Sequence, residues 1–143
     1  MNAARLPAGA GAEAEEPAGE TETKMNSPDI TLPLYRLAHG RTGDKGDRSN
    51  ISVIAWHPAL WPVLLAQLTP QAVAAHFAHR QPARVQRFEL PRLQALNFVL
   101  DAVLDGGVND ALNLDTHGKS LSFWLLDMPV RVPVSLQMHL AGP

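Results

Sequence analysis

Residues 39–50, HGRTGDKGDRSN, contain almost nothing apolar and sit between two segments that read as strands. Before them, LPLYRLAH (32–39) alternates, with Leu34, Arg36 and Ala38 on one face and Tyr35, Leu37 and His39 on the other. After them, NISVIAWH (50–57) is β-branched and nearly all apolar, which predicts a central strand covered on both faces. A polar, glycine-rich connection held at both ends by a sheet constrains the fold more than any other stretch of the chain.

Beyond it the apolar spacing switches period repeatedly. PALWPVLLAQL predicts a helix with Pro58 and Pro62 in its first turns, where a missing amide costs least. Thr69-Pro70 reads as an N-cap followed by proline at the first helical position, opening TPQAVAAHFAHR. ARVQRFEL (83–90) alternates as a strand, and LQALNFVLDAVLDGG reads as a helix ended by Gly106-Gly107. VNDALNLD (108–115) is a short strand, and GKSLSFWLLDM (118–128) a helix with Leu121, Trp124, Leu125 and Met128 on one stripe. PVRVPVSL, with two prolines, is an extended edge. Strands separated by short helices predict an α+β fold, a two-layer α/β sandwich with helices on one face of a mainly antiparallel sheet.

Residues 1–29 are rich in Ala, Gly, Glu and Pro without apolar periodicity and are expected to form a disordered tail; 30–143 form one domain. With 45% hydrophobic residues the folded part can bury a core, and a net charge of −2 offers no electrostatic case for binding nucleic acid or an anionic membrane. The absence of cysteine removes thiolate chemistry and suits a reducing compartment. No apolar run reaches the ~18 residues of a spanning helix, and no secretory or transit pattern opens the chain. A cytoplasmic protein is expected.

The glycine-rich connection has a sharp reading and a bland one. Gly40, Gly43 and Gly46 can reach backbone conformations that let successive N–H groups converge on an anion, with Arg41, Lys45 and Arg48 adding charged donors. The bland reading is a solvated hairpin connection, and the anion-holding loop is the favoured one. It is neither a Walker motif nor a dinucleotide fingerprint. Asp44 and Asp47 either orient the basic residues or supply a general base; three neighbouring cations favour ionised carboxylates. His39 borders the loop and is placed to move a proton. His76 and His79 read as the end of an amphipathic helix, and no metal site is assigned. Asn97, inside an apolar helix, needs a partner and is expected to brace the loop or touch ligand. Asp115, His117 and Lys119 form a turn, Ser49 and Ser52 lack a nucleophile context, and Trp56, Trp61, Phe77, Phe98, Phe123 and Trp124 are expected in the core.

YRLAHGRTGDKGDRSNISVIA, HFAH, FELPRLQALNFVLDAVLDGG and LDTHGKSL, in this order, resemble the small C-terminal ferredoxin-like domain of the acyclic terpene utilisation (AtuA-like) family. The resemblance runs from about residue 33 to 130; Arg41 to Asp47 with Asn50 is its most specific signature and Ala95-Leu96-Asn97-Phe98 the second. It implies a ferredoxin-like fold and a part in the catabolism of branched, terpene-like acids as CoA thioesters. No cofactor is implied beyond the CoA moiety of a substrate. In the family this domain follows a larger one, which sets the expectation of a larger AtuA-type partner subunit. Under that reading the loop faces the partner's active site. Its ligand residues would be Gly40, Arg41, Gly43, Lys45, Gly46, Arg48, Asn50 and Asn97, and its candidate catalytic groups Asp44, Asp47 and His39. Two alternatives stand beside it, an autonomous acyl-CoA lyase or hydratase with an aspartate base, and a non-catalytic assembly module. A homo-oligomer, a dimer closed by VRVPVSLQMHL, is expected of the isolated chain.

Overall fold

A computed structural model describes residues 28–103 and 120–142. The connection between the first two sheet strands is far shorter than twelve residues. Strand β2 (Ala38–Lys45) and strand β3 (Arg48–Ala55) pair antiparallel from Ala38↔Ala55 to Lys45↔Arg48, leaving Gly46 and Asp47 as a two-residue turn. Gly46 has φ +63, and a positive-φ glycine opening a two-residue turn matches the right-handed twist of the flanking strands. The expected loop is therefore corrected to a hairpin.

The segment before it is not one strand. Asp29–Pro33 forms β1, Leu34–Arg36 a 3-10 turn, and pairing resumes only at Ala38. Leu34 and Leu37 are both fully buried, and residues three apart share a side in a turn but not in a strand. The C-terminal edge, β6 (Pro129–Pro133), pairs antiparallel with β1 as a separate two-stranded ribbon. Beyond it a 3-10 turn spans Val134–His139, and His139 stacks on His57 with ring centroids 3.8 Å apart.

The helix expected over 93–107 is a strand through its described part. β5 (Ala95–Asp101) lies between β3 and β4 (Arg84–Leu90), antiparallel to both, in the sheet order β2-β3-β5-β4. Leu96, Phe98 and Leu100 are fully buried while Asn97, Val99 and Asp101 are only half-buried, which is period two. Leu93, Leu96 and Leu100 also fit helical spacing; two partner strands with open ladders decide the matter. β3 alternates likewise, with Ser49, Ile51 and Val53 buried and Asn50, Ser52 and Ile54 half-buried, so among the described residues only one face is covered by helices.

That face carries the helices. Helix α1 (Trp61–Gln67) follows a 3-10 turn over Pro58–Leu60 and packs against β6. Helix α2 (Pro70–His76) starts at Thr69, whose Oγ1 accepts from Ala72 N at 3.0 Å, as the sequence predicts. It packs on β4, and α3 (Leu121–Leu126) packs on β2 and β3. Leu64, Leu68, Val73, Phe77, Leu121 and Leu125 close over Ile51, Val53, Leu96, Phe98 and Leu100. The result is the expected α+β arrangement with a mainly antiparallel sheet.

Three of the six expected core aromatics are substantially exposed: Trp56 by 50%, Phe123 by 71% and Trp124 by 42%. Trp124 instead ties α3 to α2, donating Nε1–H to the His76 carbonyl at 2.8 Å while His76 Nε2 meets the Trp124 carbonyl at 2.7 Å. No helix of the described residues is long and apolar enough to cross a membrane. The tail expected over 1–29, save Pro28 and Asp29, lies outside the described residues, as do the strand expected over 108–115, Gly106-Gly107 and the turn at Asp115, His117 and Lys119.

If period two governs β5, Phe98→Ala should destabilise the domain by ~3–5 kcal/mol in urea denaturation. Val99→Ala, one residue along on the other face, should cost well under half of that.

Candidate functional site

Register sorts the expected site residues onto the two faces of the sheet. His39, Arg41, Gly43 and Lys45 share the uncovered face with Asn50, Ser52, Asn97 and Asp101, whereas Gly40, Thr42 and Asp44 face the helices with Ser49, Ile51 and Val53. Thr42 Oγ1 accepts from Ser122 N at 2.9 Å, at the start of α3.

The glycines do not build a concavity of amides. In a strand, N–H groups three residues apart point to opposite sides, so those of Gly40 and Gly43 diverge within the sheet plane. Trp56 N bonds the Leu37 carbonyl at 2.9 Å, and ladder alternation from there makes Gly43 a hydrogen-bonded partner of Asn50 and turns the Gly40 N–H to the sheet edge. The glycines serve close approach instead. A Cβ on Gly40 would sit 2.7 Å from the Ser52 carbonyl oxygen, and one on Gly43 would sit 2.3 Å from Asn50 Oδ1, whose carboxamide folds over the bare Cα.

Nor do the three candidate catalytic groups converge. Asp44 is registered opposite the fully buried Ser49, Asp47 occupies the turn with its carbonyl accepting from Val103 N at 3.2 Å, and His39 packs against a tilted Trp56 ring, centroids 4.4 Å apart, at the far end of β2. Six residues of strand, roughly 20 Å, separate His39 from the end of the hairpin.

What the hairpin end does gather is charge. Lys45, Arg48, Asp101 and Arg84 form one row across the four strands. Asp101 Oδ1 accepts from Arg48 Nε at 2.5 Å and Oδ2 from Arg84 Nε at 3.1 Å. The Arg48 hydrogen bond holds the Asp101 carboxyl below its ordinary range against the opposing effect of burial, helped by Arg84 and by the charge of both guanidiniums. Lys45, Asp47, Arg48, Asp101 and Ala102 line an open hollow of about 480 Å³. A second, of about 280 Å³, is lined by Asp44, Lys45, Arg48, Asn50 and Val99. Among the described residues no ion pair engages Lys45 or Arg41. Such a pattern can hold an anion through side chains, with Asp101 fixing Arg48 in place.

Asp101, Arg84 and Ser52 were not expected here. The signal for Asp101 was the polar half of the β5 alternation, which a helical reading of 93–107 hides; Arg84 and Ser52 lie on segments read as strands, whose neighbours across the sheet were not legible. Asn97 lies mid-sheet, and its Oδ1 is buried without a hydrogen-bond partner among the described residues. No cluster of three or more metal-binding side chains occurs among the described residues.

Gly40→Ala should destabilise more than Gly43→Ala in thermal melts, because the first meets rigid backbone and the second a side chain free to swing. A second expectation concerns acid. Because Asp101 is more acidic folded than unfolded, its contribution is complete above the ordinary carboxylate range and is lost as pH falls through the lowered value. Denaturation midpoints followed from about pH 6 to about pH 2 should fall less for Asp101→Asn than for the parent.

A family profile described as the AtuA ferredoxin-like domain matches residues 32–131. No curated protein and no solved structure matches the chain.

Proposed function

The chain belongs to the AtuA ferredoxin-like domain family, and from that premise we propose that it is an accessory domain or small subunit of a larger AtuA-type partner. The pair acts in the catabolism of branched, terpene-like acyl-CoA thioesters, and this domain contributes a surface that holds an anionic group of the ligand. The observation that carries this reading is Lys45, with no ion pair among the described residues, beside an Arg48 already held by Asp101 and beside the Asn50 carboxamide. A phosphate or carboxylate there meets one donor, the Arg48 guanidinium, whose position Asp101 sets before it arrives, so less ordering entropy opposes that contact.

Two further observations favour an accessory role over an autonomous lyase or hydratase. His39, Asp44 and Asp47 occupy separate places, so an acid–base pair would need a group from elsewhere. Phe88, Leu90 and Leu93 are 50%, 42% and 64% exposed along the β4 edge and its following turn, beside an open groove lined by Glu89 to Leu93. Such a patch suits cover by another chain, either the larger subunit or, in its absence, a second copy.

Inorganic phosphate and CoA should each raise the melting temperature of the isolated protein, and Lys45→Ala should remove the shift. Tagged protein at native concentration should recover a larger AtuA-type protein from its host. No shift with either anion, together with recovery of the bare small protein only, would overturn the reading.

A further inference from the structure

The uncovered sheet face carries a second pattern, in a row that runs across the strands rather than along them. Arg41, Ser52, Asn97 and Phe88 are directly opposite one another on β2, β3, β5 and β4. Among the described residues Arg41 is exposed and unpaired, Phe88 is 50% exposed, and between them Asn97 Oδ1 is buried without a donor from any of those residues. Ala55 N bonds the Gln94 carbonyl at 3.0 Å, so ladder alternation makes Ser52 and Asn97 a non-hydrogen-bonded pair, the kind whose side chains stand closest. A buried acceptor left empty costs about 1–3 kcal/mol, and natural interiors keep few of them. Because this oxygen is closed to solvent, an N–H or O–H from a ligand reaches it only when a neighbouring side chain swings aside.

The row states what that ligand looks like. Strands lie about 4.8 Å apart, so Arg41 and Asn97 are anchored about 10 Å from each other, and an arginine side chain leaning inward spans most of that gap. A negative charge on Arg41 thus falls a few bonds from a donor on Asn97 Oδ1. Beyond Asn97, the Phe88 ring with Leu90 offers an apolar surface for the rest of the molecule.

We infer that the row Arg41–Ser52–Asn97–Phe88 is a binding site for an organic anion that carries a hydroxyl or amide N–H close to its charge and a hydrocarbon body beyond. The charge pairs with Arg41, the donor satisfies Asn97 Oδ1, and the hydrocarbon lies on Phe88. This rests on the reading that the domain holds an anion, and adds a second place on the same sheet face, apart from Lys45, with the groups that select the ligand there.

Three probes separate the two claims: inorganic phosphate, octanoate and 3-hydroxyoctanoate, titrated into ¹⁵N-labelled protein and followed by amide shifts. The hydroxy acid should perturb Ser52, Asn97 and Phe88 and bind about tenfold tighter than octanoate, since a hydrogen bond to a buried acceptor discriminates by about that factor. Asn97→Leu should erase the preference and leave octanoate binding in place, and Arg41→Gln should weaken both acids. Equal affinity for the two acids, or shifts confined to the hairpin end, overturns this site while a phosphate response at Lys45 preserves the anion reading. Silence from all three probes removes both.

Discussion

Everything described here depends on the period-two alternation of β3 and β5. Ile51 and Val53 on one strand and Leu96, Phe98 and Leu100 on the next turn the same way, and the helices close over them. A sheet strand cannot bury one set of side chains without turning the other set outward. Burial of this apolar face therefore places Asn50, Ser52, Asn97 and Asp101 together on the other. A one-residue slip would exchange the two sets, sending an amide and a carboxylate under the helices at a cost no local rearrangement could offset.

Much of this was legible before any coordinates. The β-branched run after the glycines, the Thr69 cap and the alternation of residues 84–90 each carry one dominant signal, and each element formed where that signal lies. The misread elements carry two. Leu96 and Leu100 satisfy a helix as well as a strand, and only a slot between two strands chooses. Leu34 and Leu37 sit on opposite sides of any strand, yet both are buried because the chain turns there to let Leu34 N bond the Met128 carbonyl at 2.9 Å, a partner far away in sequence. Long-range pairing of this kind leaves no local trace.

The candidate site was legible in its residues and not in its geometry. Glycines at three-residue spacing suggest converging amides only if the backbone is irregular. Held in a ladder, the same glycines let the Ser52 carbonyl and the Asn50 carboxamide come close, and recognition passes to side chains. Asn97 was expected to need a partner because of its apolar neighbours, and it does, from a strand rather than a helix. Asp101 has no local signal because its two arginines lie 53 and 17 residues away along the chain.

Labour is divided between the faces of one sheet: the helix side supplies stability, and the other side presents a set of charges and amides. Neither assignment survives if β5 is displaced relative to β3. The chain has no cysteine, so an introduced pair reports this register without interference. Ser52 and Asn97 are opposite each other in a non-hydrogen-bonded pair, within the Cα separation that a disulfide requires. The double variant Ser52→Cys/Asn97→Cys should close an intramolecular disulfide on mild oxidation and raise the melting temperature, while Val53→Cys/Asn97→Cys stays reduced. Closure of the second pair in preference to the first would contradict the register and everything built on it.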